Sequence, residues 1–190
     1  MHFQQIRKQA DHLLPYEISD ADGNTENRKR TISVFRGPNP QIKLLDSKEE
    51  EIKHVADIIR QWRQEGIPTN QIGVFVRSLK EMERTATAVN QANEKYEILD
   101  DDMQSSDEAI AIGTMHQAKG LEYRAVIVIA CDEDVLPSLE RLETAGEKSD
   151  QDEIYNTERY LLYVATTRAR EQLLITAVEP GSAFLEDLQL

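Results

Sequence analysis

The sequence predicts an α/β domain with a mostly parallel sheet and helices on both faces. Two observations lead to this prediction. Short apolar segments alternate along the chain with amphipathic helix patterns, which is the order of elements in α/β proteins. The segment Ala125–Ala130 is apolar at every position and rich in β-branched residues. Such strands belong to parallel sheets that helices cover on both sides.

The first half of the chain predicts a strand at Gln41–Leu45 and a helix after it. Ser47 and Glu50 form the S-x-x-E pattern, in which each side chain satisfies a free backbone donor at a helix start. Apolar residues then recur on one helical face until a glycine and a proline end the run. These residues are Ile52, Val55, Ile59 and Trp62, followed by Gly66 and Pro68. Before residue 40 we expect a short helix over Ile6–Leu14 and an exposed loop at residues 19–30.

The second half continues the alternation of strands and helices. A second S-x-x-E pattern, Ser78 and Glu81, precedes an apolar stripe formed by Leu79, Met82, Ala86 and Val89. The predicted strands are Ile72–Val76, Ala109–Thr114, Ala125–Ala130 and residues 172–178. The predicted helices are the one marked by this stripe, one at roughly 154–169 and a short one at 182–188.

Composition and charge narrow the class of protein. A chain of 190 residues with 39% hydrophobic residues can form a full core, and the single cysteine, Cys131, excludes a disulfide framework. The sequence contains no membrane-spanning run and no signal peptide, so a cytoplasmic protein is expected.

The net charge of the chain is −13, whereas a generic nucleic-acid-binding domain is normally basic. Residues 98–158 hold 16 acidic and 4 basic side chains. Much of this charge falls in predicted loops at 100–102 and 138–153, which we interpret as solvated surface.

Two stretches carry most of the functional information. Thr114–Glu122 (TMHQAKGLE) follows a predicted strand, and Tyr163–Arg170 (YVATTRAR) precedes another. Together they resemble the fifth and sixth motifs of the superfamily 1 DNA helicases of the UvrD/Rep type, and Ile72–Ser78 resembles the fourth. All three motifs belong to the second of that family's two RecA-like motor domains. The resemblance therefore implies a RecA-like fold without a phosphate-binding loop of its own.

The first of these stretches contains the predicted nucleic-acid contacts. A hydroxyl and an imidazole suit hydrogen bonds to phosphate and sugar, which carry no sequence information. An isolated histidine at a strand end is more often a satisfied loop residue, but the nine-residue match outweighs that reading. The resemblance implies that Thr114 and His116 contact single-stranded DNA. It also implies that Glu122 reaches the ribose of a bound nucleotide, with Gly120 permitting close approach.

Two arginines are the predicted catalytic residues. Arg77 ends a predicted buried strand, and Arg168 follows Thr166 and Thr167. A guanidinium is planar and permanently charged, so it can stabilise phosphoryl charge from a neighbouring domain. Taken singly, each arginine is more often a surface ion-pair partner. The resemblance implies that both contact the γ-phosphate of ATP bound by the first motor domain.

One pattern is missing from the sequence. None of the eight glycines belongs to a G-x-x-x-x-G-K-[ST] loop, so the chain alone is expected not to hydrolyse ATP. The pair Asp132–Glu133 follows an apolar strand, as the Mg²⁺ ligands of P-loop enzymes do, but we interpret it as structural. The four histidines and one cysteine lack metal-ligand spacing. The resemblance implies ATP with Mg²⁺, the ion being held by a separate N-terminal RecA-like domain.

The sequence interpretation divides the chain into an N-terminal segment, residues 1–45, and a RecA-like domain, residues 46–190. Its expected partners are single-stranded DNA and the N-terminal RecA-like domain, with no membrane. Three alternatives remain open. One is the RecD-like branch of the same superfamily, whose fifth motif reads closer to H-x-S-Q-G-S-E. Another is a helicase-derived interaction or regulatory module, for which the acidic stretch 132–158 is the support. The third is a stand-alone receiver-like α/β protein.

Overall fold

Six strands form one parallel sheet, and two short strands form a separate antiparallel pair. The structure is a computed structural model that describes residues 4–13, 17–19, 25–27, 40–100, 108–146 and 148–189. In chain order the strands are β1 (Glu17–Ser19), β2 (Thr25–Asn27), β3 (Gln41–Leu45), β4 (Ile72–Val76), β5 (Tyr96–Ile98), β6 (Ile110–Thr114), β7 (Tyr123–Val128) and β8 (Ala169–Val178).

The large sheet has the strand order β3-β8-β7-β4-β6-β5, and every neighbouring pair is parallel. The predicted α/β class with a parallel sheet is therefore confirmed. Strand β4 lies between β6 and β7, so the segment that joins β6 to β7 has to cross β4. The register places Thr114 opposite Val76 and Ala125 opposite Ile72. Residues 115–122 thus run from the carboxyl edge of the sheet back to its amino edge.

Helices cover both faces of this sheet, as predicted. They are α1 (Gln4–Ala10), α2 (Lys48–Gln64), α3 (Met82–Gln91), α4 (Leu139–Glu143), α5 (Lys148–Thr166) and α6 (Phe184–Gln189). Short 3-10 helices lie at Asp11–Leu13, Thr69–Gln71 and Leu79–Glu81.

One core layer lies between the sheet and helices α2 and α3. Successive side chains of a strand point to opposite faces, so alternate residues of β4, β6 and β7 enter this layer. The fully buried members include Val55, Ile59, Val74, Ile112 and Ile127. The helical stripe predicted from the sequence of α2 is the face that packs here.

The second core layer lies between the sheet and helices α1, α5 and α6. Phe75, Val126 and Ile175 enter it from the strands, and Leu162 and Phe184 enter it from the helices. Burying one such side chain contributes about 1.5–3 kcal/mol. The two layers explain why β4 and β7, the central strands, are apolar at almost every position.

Helix α2 begins and ends as its sequence predicts. The Ser47 hydroxyl accepts a hydrogen bond from the Glu50 N–H at 3.2 Å. The Glu50 carboxylate accepts from the N–H of Asp46 at 3.3 Å, one residue before the expected donor. Past the other end, Gly66 has φ +87° and the Ile67 N–H bonds to the Trp62 carbonyl at 3.0 Å. A left-handed residue at this position is the usual helix stop, and glycine adopts it without steric cost.

Several predicted boundaries are wrong. The helix expected at 154–169 is α5, Lys148–Thr166, and β8 begins at Ala169, where it pairs with Tyr123. The stretch 138–153, expected to be loop, contains α4 and the start of α5. Residues 150–153 of α5 are polar and exposed, so apolar periodicity missed this part of the helix.

Two smaller predictions also fail. Leu79 lies in a 3-10 turn and is 70% exposed, because this turn breaks the helical spacing that was extended back from Met82. Within residues 19–30, expected to be loop, Thr25–Asn27 forms strand β2 paired with β1. Residues 20–24 and 28–30, together with Asp101 and Asp102 of the predicted loop at 100–102, lie outside the described residues.

The N-terminal segment contributes to the same sheet and core. Strand β3 pairs with β8, and Ile6 and Leu13 are fully buried in the layer around α5. The domain boundary proposed after residue 45 stays a prediction. Within the ranges that the structure describes, no helix combines the length and apolarity of a membrane span.

Candidate functional site

Three of the predicted residues share the carboxyl edge of the sheet. Arg77 directly follows β4, and Thr114 is the last residue of β6, paired with Val76. The Met115 N–H donates to the carbonyl oxygen of Val76 at 2.7 Å, which fixes the start of the crossover against the end of β4. His116 therefore lies beside the strand end that carries Arg77.

A glutamine organises the turn that begins at Thr114. The Oε1 atom of Gln117 accepts hydrogen bonds from the Thr114 N–H at 2.9 Å and from the Thr114 hydroxyl at 3.1 Å. Its amide nitrogen donates to the carbonyl of Leu99 at 2.7 Å. Thr114 is half-buried and its hydroxyl oxygen can still accept a hydrogen bond, while His116 is exposed. Both polar groups can therefore reach a ligand at this edge.

The electrostatic surroundings keep His116 neutral. Desolvation lowers the pKa of His116 below its ordinary value of 6.5, and the positive charges of Arg77 and Arg141 lower it further. The carboxylate of Glu158 opposes them. At pH 7 the imidazole is uncharged, so it can both donate and accept a hydrogen bond.

Arg77 forms a buried ion pair. Its Nε and Nη2 atoms both donate to the carboxylate of Glu158, which is fully buried in α5, and Arg77 itself is 7% exposed. Glu158 also accepts from Arg141 Nη1 at 2.9 Å and from the Ser138 N–H at 3.3 Å. Burial would raise the pKa of Glu158, but these donors hold it below its ordinary value.

The other three predicted residues lie at the amino edge. Gly120 and Glu122 end the crossover just before β7, and Arg168 just precedes β8. The Tyr123 N–H donates to the carbonyl of Arg168 at 3.0 Å. Gly120 has φ +84° with no atom within 4 Å of a Cβ built there, so the conformation, rather than space, requires glycine. Glu122 is exposed.

The side chain of Arg168 borders a small cavity. Its Nε donates to Val164 O at 3.0 Å and its Nη2 to the Thr167 hydroxyl at 3.2 Å. The cavity has a volume of about 220 Å³ and is lined by Ile6, Arg7, Tyr163, Thr167 and Arg168. Pockets for whole small molecules begin at roughly 300 Å³. The volume therefore fits part of a ligand, such as a phosphoryl group.

The structure does not bring Arg77 and Arg168 together. Between the end of β4 and the start of β8 lie about six strand positions in register, which is roughly 20 Å along the strands. In this structure the guanidinium of Arg77 is bound to Glu158. The γ-phosphate role of Arg77 remains a prediction without geometric support, whereas Arg168 and Glu122 do share an edge.

Of the acidic pair after β7, Asp132 has the structural role that the sequence suggested, whereas Glu133 is exposed. The carboxylate of Asp132 accepts from Arg84 Nη1 at 2.7 Å and from the Val178 N–H at 2.7 Å. Arg84 also pairs with Glu51, which accepts from the Ala130 N–H at 3.1 Å. Of the residues with described positions, no group of three or more His, Cys, Asp or Glu could hold a metal ion.

Sequence reasoning missed Glu158 and Gln117. The signal for Glu158 was present: it lies three and four residues before Leu161 and Leu162, on the buried face of α5. An acidic residue on an apolar stripe predicts a buried ion pair, because an unpaired buried carboxylate is too costly. Gln117 has no comparable signal, since its partner Leu99 lies before the preceding strand.

The fold and the two edges define a RecA-like α/β domain that has no phosphate-binding loop in its sequence. The sequence model of the UvrD-like helicase C-terminal domain matches residues 80–180. This chain belongs to that family. Five of the six predicted site residues fall inside the matched range, and Arg77 lies just before it.

Individual relatives agree with the family. The chain is 38% identical over 78 residues to a probable DNA helicase II homolog of Rickettsia conorii, covering 41% of this chain and 11% of that protein. It is 34% identical over 79 residues to the ATP-dependent DNA helicase PcrA of Staphylococcus aureus, covering 42% and 10%. The matched segment thus spans about a tenth of these relatives.

A solved structure supports the fold. The C-terminal domain of a possible DNA helicase from Lactobacillus plantarum aligns with a TM-score of 0.67 at 21% identity, over 98% of this chain and 92% of that one.

Proposed function

We propose that this chain is the second motor domain of an ATP-dependent DNA helicase or translocase of the UvrD type. In this proposal it supplies an arginine to ATP bound by a separate N-terminal RecA-like domain, and it contacts single-stranded DNA. The observation that supports this most is the separation of polar groups to two edges of one sheet. Thr114 and His116 lie at one edge, Glu122 and Arg168 at the other, and one crossover of eight residues joins them.

At the amino edge, Arg168 acts as the arginine finger. Its permanently charged guanidinium stabilises the charge that develops on the γ-phosphoryl group during transfer to water. Glu122 accepts a hydrogen bond from a ribose hydroxyl, and the open space at Gly120 lets the nucleotide approach the backbone. Mg²⁺ belongs to the N-terminal domain in this proposal, where it neutralises the phosphates.

At the carboxyl edge, the Thr114 hydroxyl and the neutral imidazole of His116 bind the phosphate and sugar of single-stranded DNA. These contacts carry no sequence information, which suits a motor that moves along any strand. Closing of the cleft around ATP and reopening after hydrolysis would move this edge relative to the DNA. A cytoplasmic location is part of the proposal.

The decisive experiment measures ATP hydrolysis by the complete protein, with and without single-stranded DNA, for wild type and Arg168→Ala. Arginine fingers contribute roughly a thousandfold or more to the hydrolysis rate, so we expect a loss on that order with ATP binding retained. Arg170→Ala is the matched control. Its guanidinium binds Gln71 at 2.8 Å, and it does not line the cavity beside Arg168.

A wild-type protein with no DNA-stimulated hydrolysis would contradict the motor and favour an interaction module. The acidic stretch 132–158 was the support for that module. Two of its acidic side chains, Asp132 and Glu158, are instead buried in internal ion pairs. For a receiver-like protein, Arg168→Ala would have no effect on any ATP-dependent activity.

A further inference from the structure

Glu158 is the point at which four segments of the chain meet. It lies in α5, and its carboxylate accepts hydrogen bonds from Arg77 at the end of β4, from Arg141 in α4 and from the Ser138 N–H before α4. Its side chain is fully buried. A buried carboxylate is costly unless it is paired and hydrogen-bonded, so these donors hold α5 in one position against the carboxyl edge of the sheet.

The same cluster borders the candidate DNA contact. Thr114 pairs with Val76, the residue before Arg77, so His116 lies beside the end of β4. The charges of Arg77, Arg141 and Glu158 also act on the pKa of His116. Met115, the residue between Thr114 and His116, is fixed to Val76 beside Arg77. Arg77 therefore connects the strand end beside His116 to Glu158 in α5.

Helix α5 leads from this cluster to the opposite edge. Eight residues after Glu158 the helix ends at Thr166, two positions before Arg168. These eight residues span roughly 12 Å. Leu162 and Ala165, which lie between the two ends, are fully buried. Arg168 follows the end of α5, and its Nε donates to the carbonyl of Val164 in that helix at 3.0 Å, so α5 links Glu158 to Arg168.

We propose that Glu158 is a positioning residue for DNA-stimulated ATP hydrolysis: by binding Arg77 and Arg141 it ties α5, and with it Arg168, to the edge where Thr114 and His116 lie. This inference depends on the function proposed above. It also gives Arg77 a role as the partner of Glu158 at the DNA edge.

The test compares Glu158→Gln with wild type in the complete protein. Glutamine keeps the size of the side chain and one acceptor oxygen but removes the charge that holds both arginines. We expect the ratio of DNA-stimulated to basal hydrolysis rate to fall roughly five- to a hundredfold, the range of typical couplings between sites. The basal rate without DNA and the KM for ATP should stay within about twofold of wild type. Glu153→Gln, an exposed position on the same helix, is the control and should change none of these quantities.

A second variant covers the case in which Glu158→Gln does not fold. Arg141 is 41% exposed, and Arg141→Ala removes one donor while leaving Glu158 paired with Arg77. It should lower the stimulated-to-basal ratio by a smaller factor, with an unchanged basal rate.

The outcomes separate this inference from the proposed function. If wild type, Glu158→Gln and Arg141→Ala all show the same ratio of DNA-stimulated to basal hydrolysis rate, the positioning role is wrong. The proposed motor function is then unaffected. If basal and stimulated rates fall in parallel, Glu158 has a purely structural role and the inference is also wrong. If wild type shows no DNA-stimulated hydrolysis, both the motor and this inference fail.

Discussion

Arg168 and Leu121 are in direct contact at the amino edge of the sheet. The Nη1 atom of Arg168 donates a hydrogen bond to the Leu121 carbonyl oxygen at 3.4 Å. The carbonyl oxygen of Arg168 accepts a hydrogen bond from the N–H of Tyr123, two residues after Leu121. The candidate finger therefore bonds, through side chain and backbone, to the end of the crossover that begins at the candidate DNA contact. Both the crossover and α5 connect the two edges.

Replacing His116 by alanine should weaken binding of single-stranded DNA. One hydrogen bond contributes about 0.5–1.5 kcal/mol, so we expect a loss of affinity of roughly two- to tenfold. The loss should be the same for oligonucleotides of different sequence, because contacts to phosphate and sugar do not discriminate bases. Fluorescence anisotropy with labelled oligonucleotides measures it. His54→Ala, on α2, is the control, and a sequence-dependent loss would contradict a backbone contact at His116.

The titration of His116 should depend on Arg141. In wild type, desolvation and then the two arginines keep the pKa of His116 below 6.5, and the unfolded chain takes up a proton at higher pH than the folded one. The contribution of the neutral His116 to the free energy of unfolding is therefore fully present above pH 6.5 and decreases as the pH falls below 6.5. Arg141→Ala should move the midpoint upward, towards 6.5.

NMR of the imidazole signals over pH 4.5–8 is the measurement for that shift. Arg124→Ala is a matched control, since Arg124 is similarly half-exposed and pairs with Glu171. An unchanged midpoint in Arg141→Ala would show that Arg141 is not close to the imidazole.

Replacing Arg84 by methionine should destabilise the fold strongly. Arg84 is the common partner of Glu51 and Asp132, and all three are buried. Removing one partner of a buried ion cluster leaves an uncompensated charge and costs about 3–5 kcal/mol. Urea denaturation gives the free energy of unfolding. Arg60→Met serves as the comparison, because the exposed pair of Arg60 with Asp57 contributes at most about 1 kcal/mol. Equal losses in the two variants would be inconsistent with a buried cluster.

Gly73 should tolerate no side chain while Tyr123 is present. A Cβ built on Gly73 lies 2.8 Å from Cδ2 of the Tyr123 ring, so Gly73→Ala should cost about 1–3 kcal/mol by overpacking. In a Tyr123→Leu background the same substitution should cost less, because the ring is gone. A double-mutant cycle by urea denaturation measures the difference. Additive costs would mean that the ring is not the obstacle.

Much of the fold could be predicted from periodicity. The stripe Val55–Ile59–Trp62 and the apolar strands β4 and β7 identify buried faces without any knowledge of their partners. The start of α5 could not be found in this way, because its side chains are polar, and α4 is a helix of only five residues. The order of the strands in the sheet could not be predicted either, because the sequence of β4 does not show that it pairs with β6 on one side and β7 on the other.

The motif matches propose candidate residues one by one, but they do not say how those residues are arranged. The structure places Thr114 and His116 at one edge of the sheet and Glu122 and Arg168 at the other, and their roles stay predictions. Arg77 was grouped with Arg168 because both are arginines at motif positions. The register of β4 and the pairing with Glu158, which lies 81 residues away in sequence, decide its location instead.

The crossover at residues 115–122 has little spare length. It has to return roughly 20 Å along the strands and pass over β4, whereas eight residues reach about 28 Å at full extension. The turns at Gln117 and Gly120 shorten the distance that these eight residues can span. Shortening this segment by even a few residues would therefore break the turn at one end or the other, and lengthening it would let one edge move without the other. Among the loops of this domain, this one should keep its length when the rest of the sequence varies.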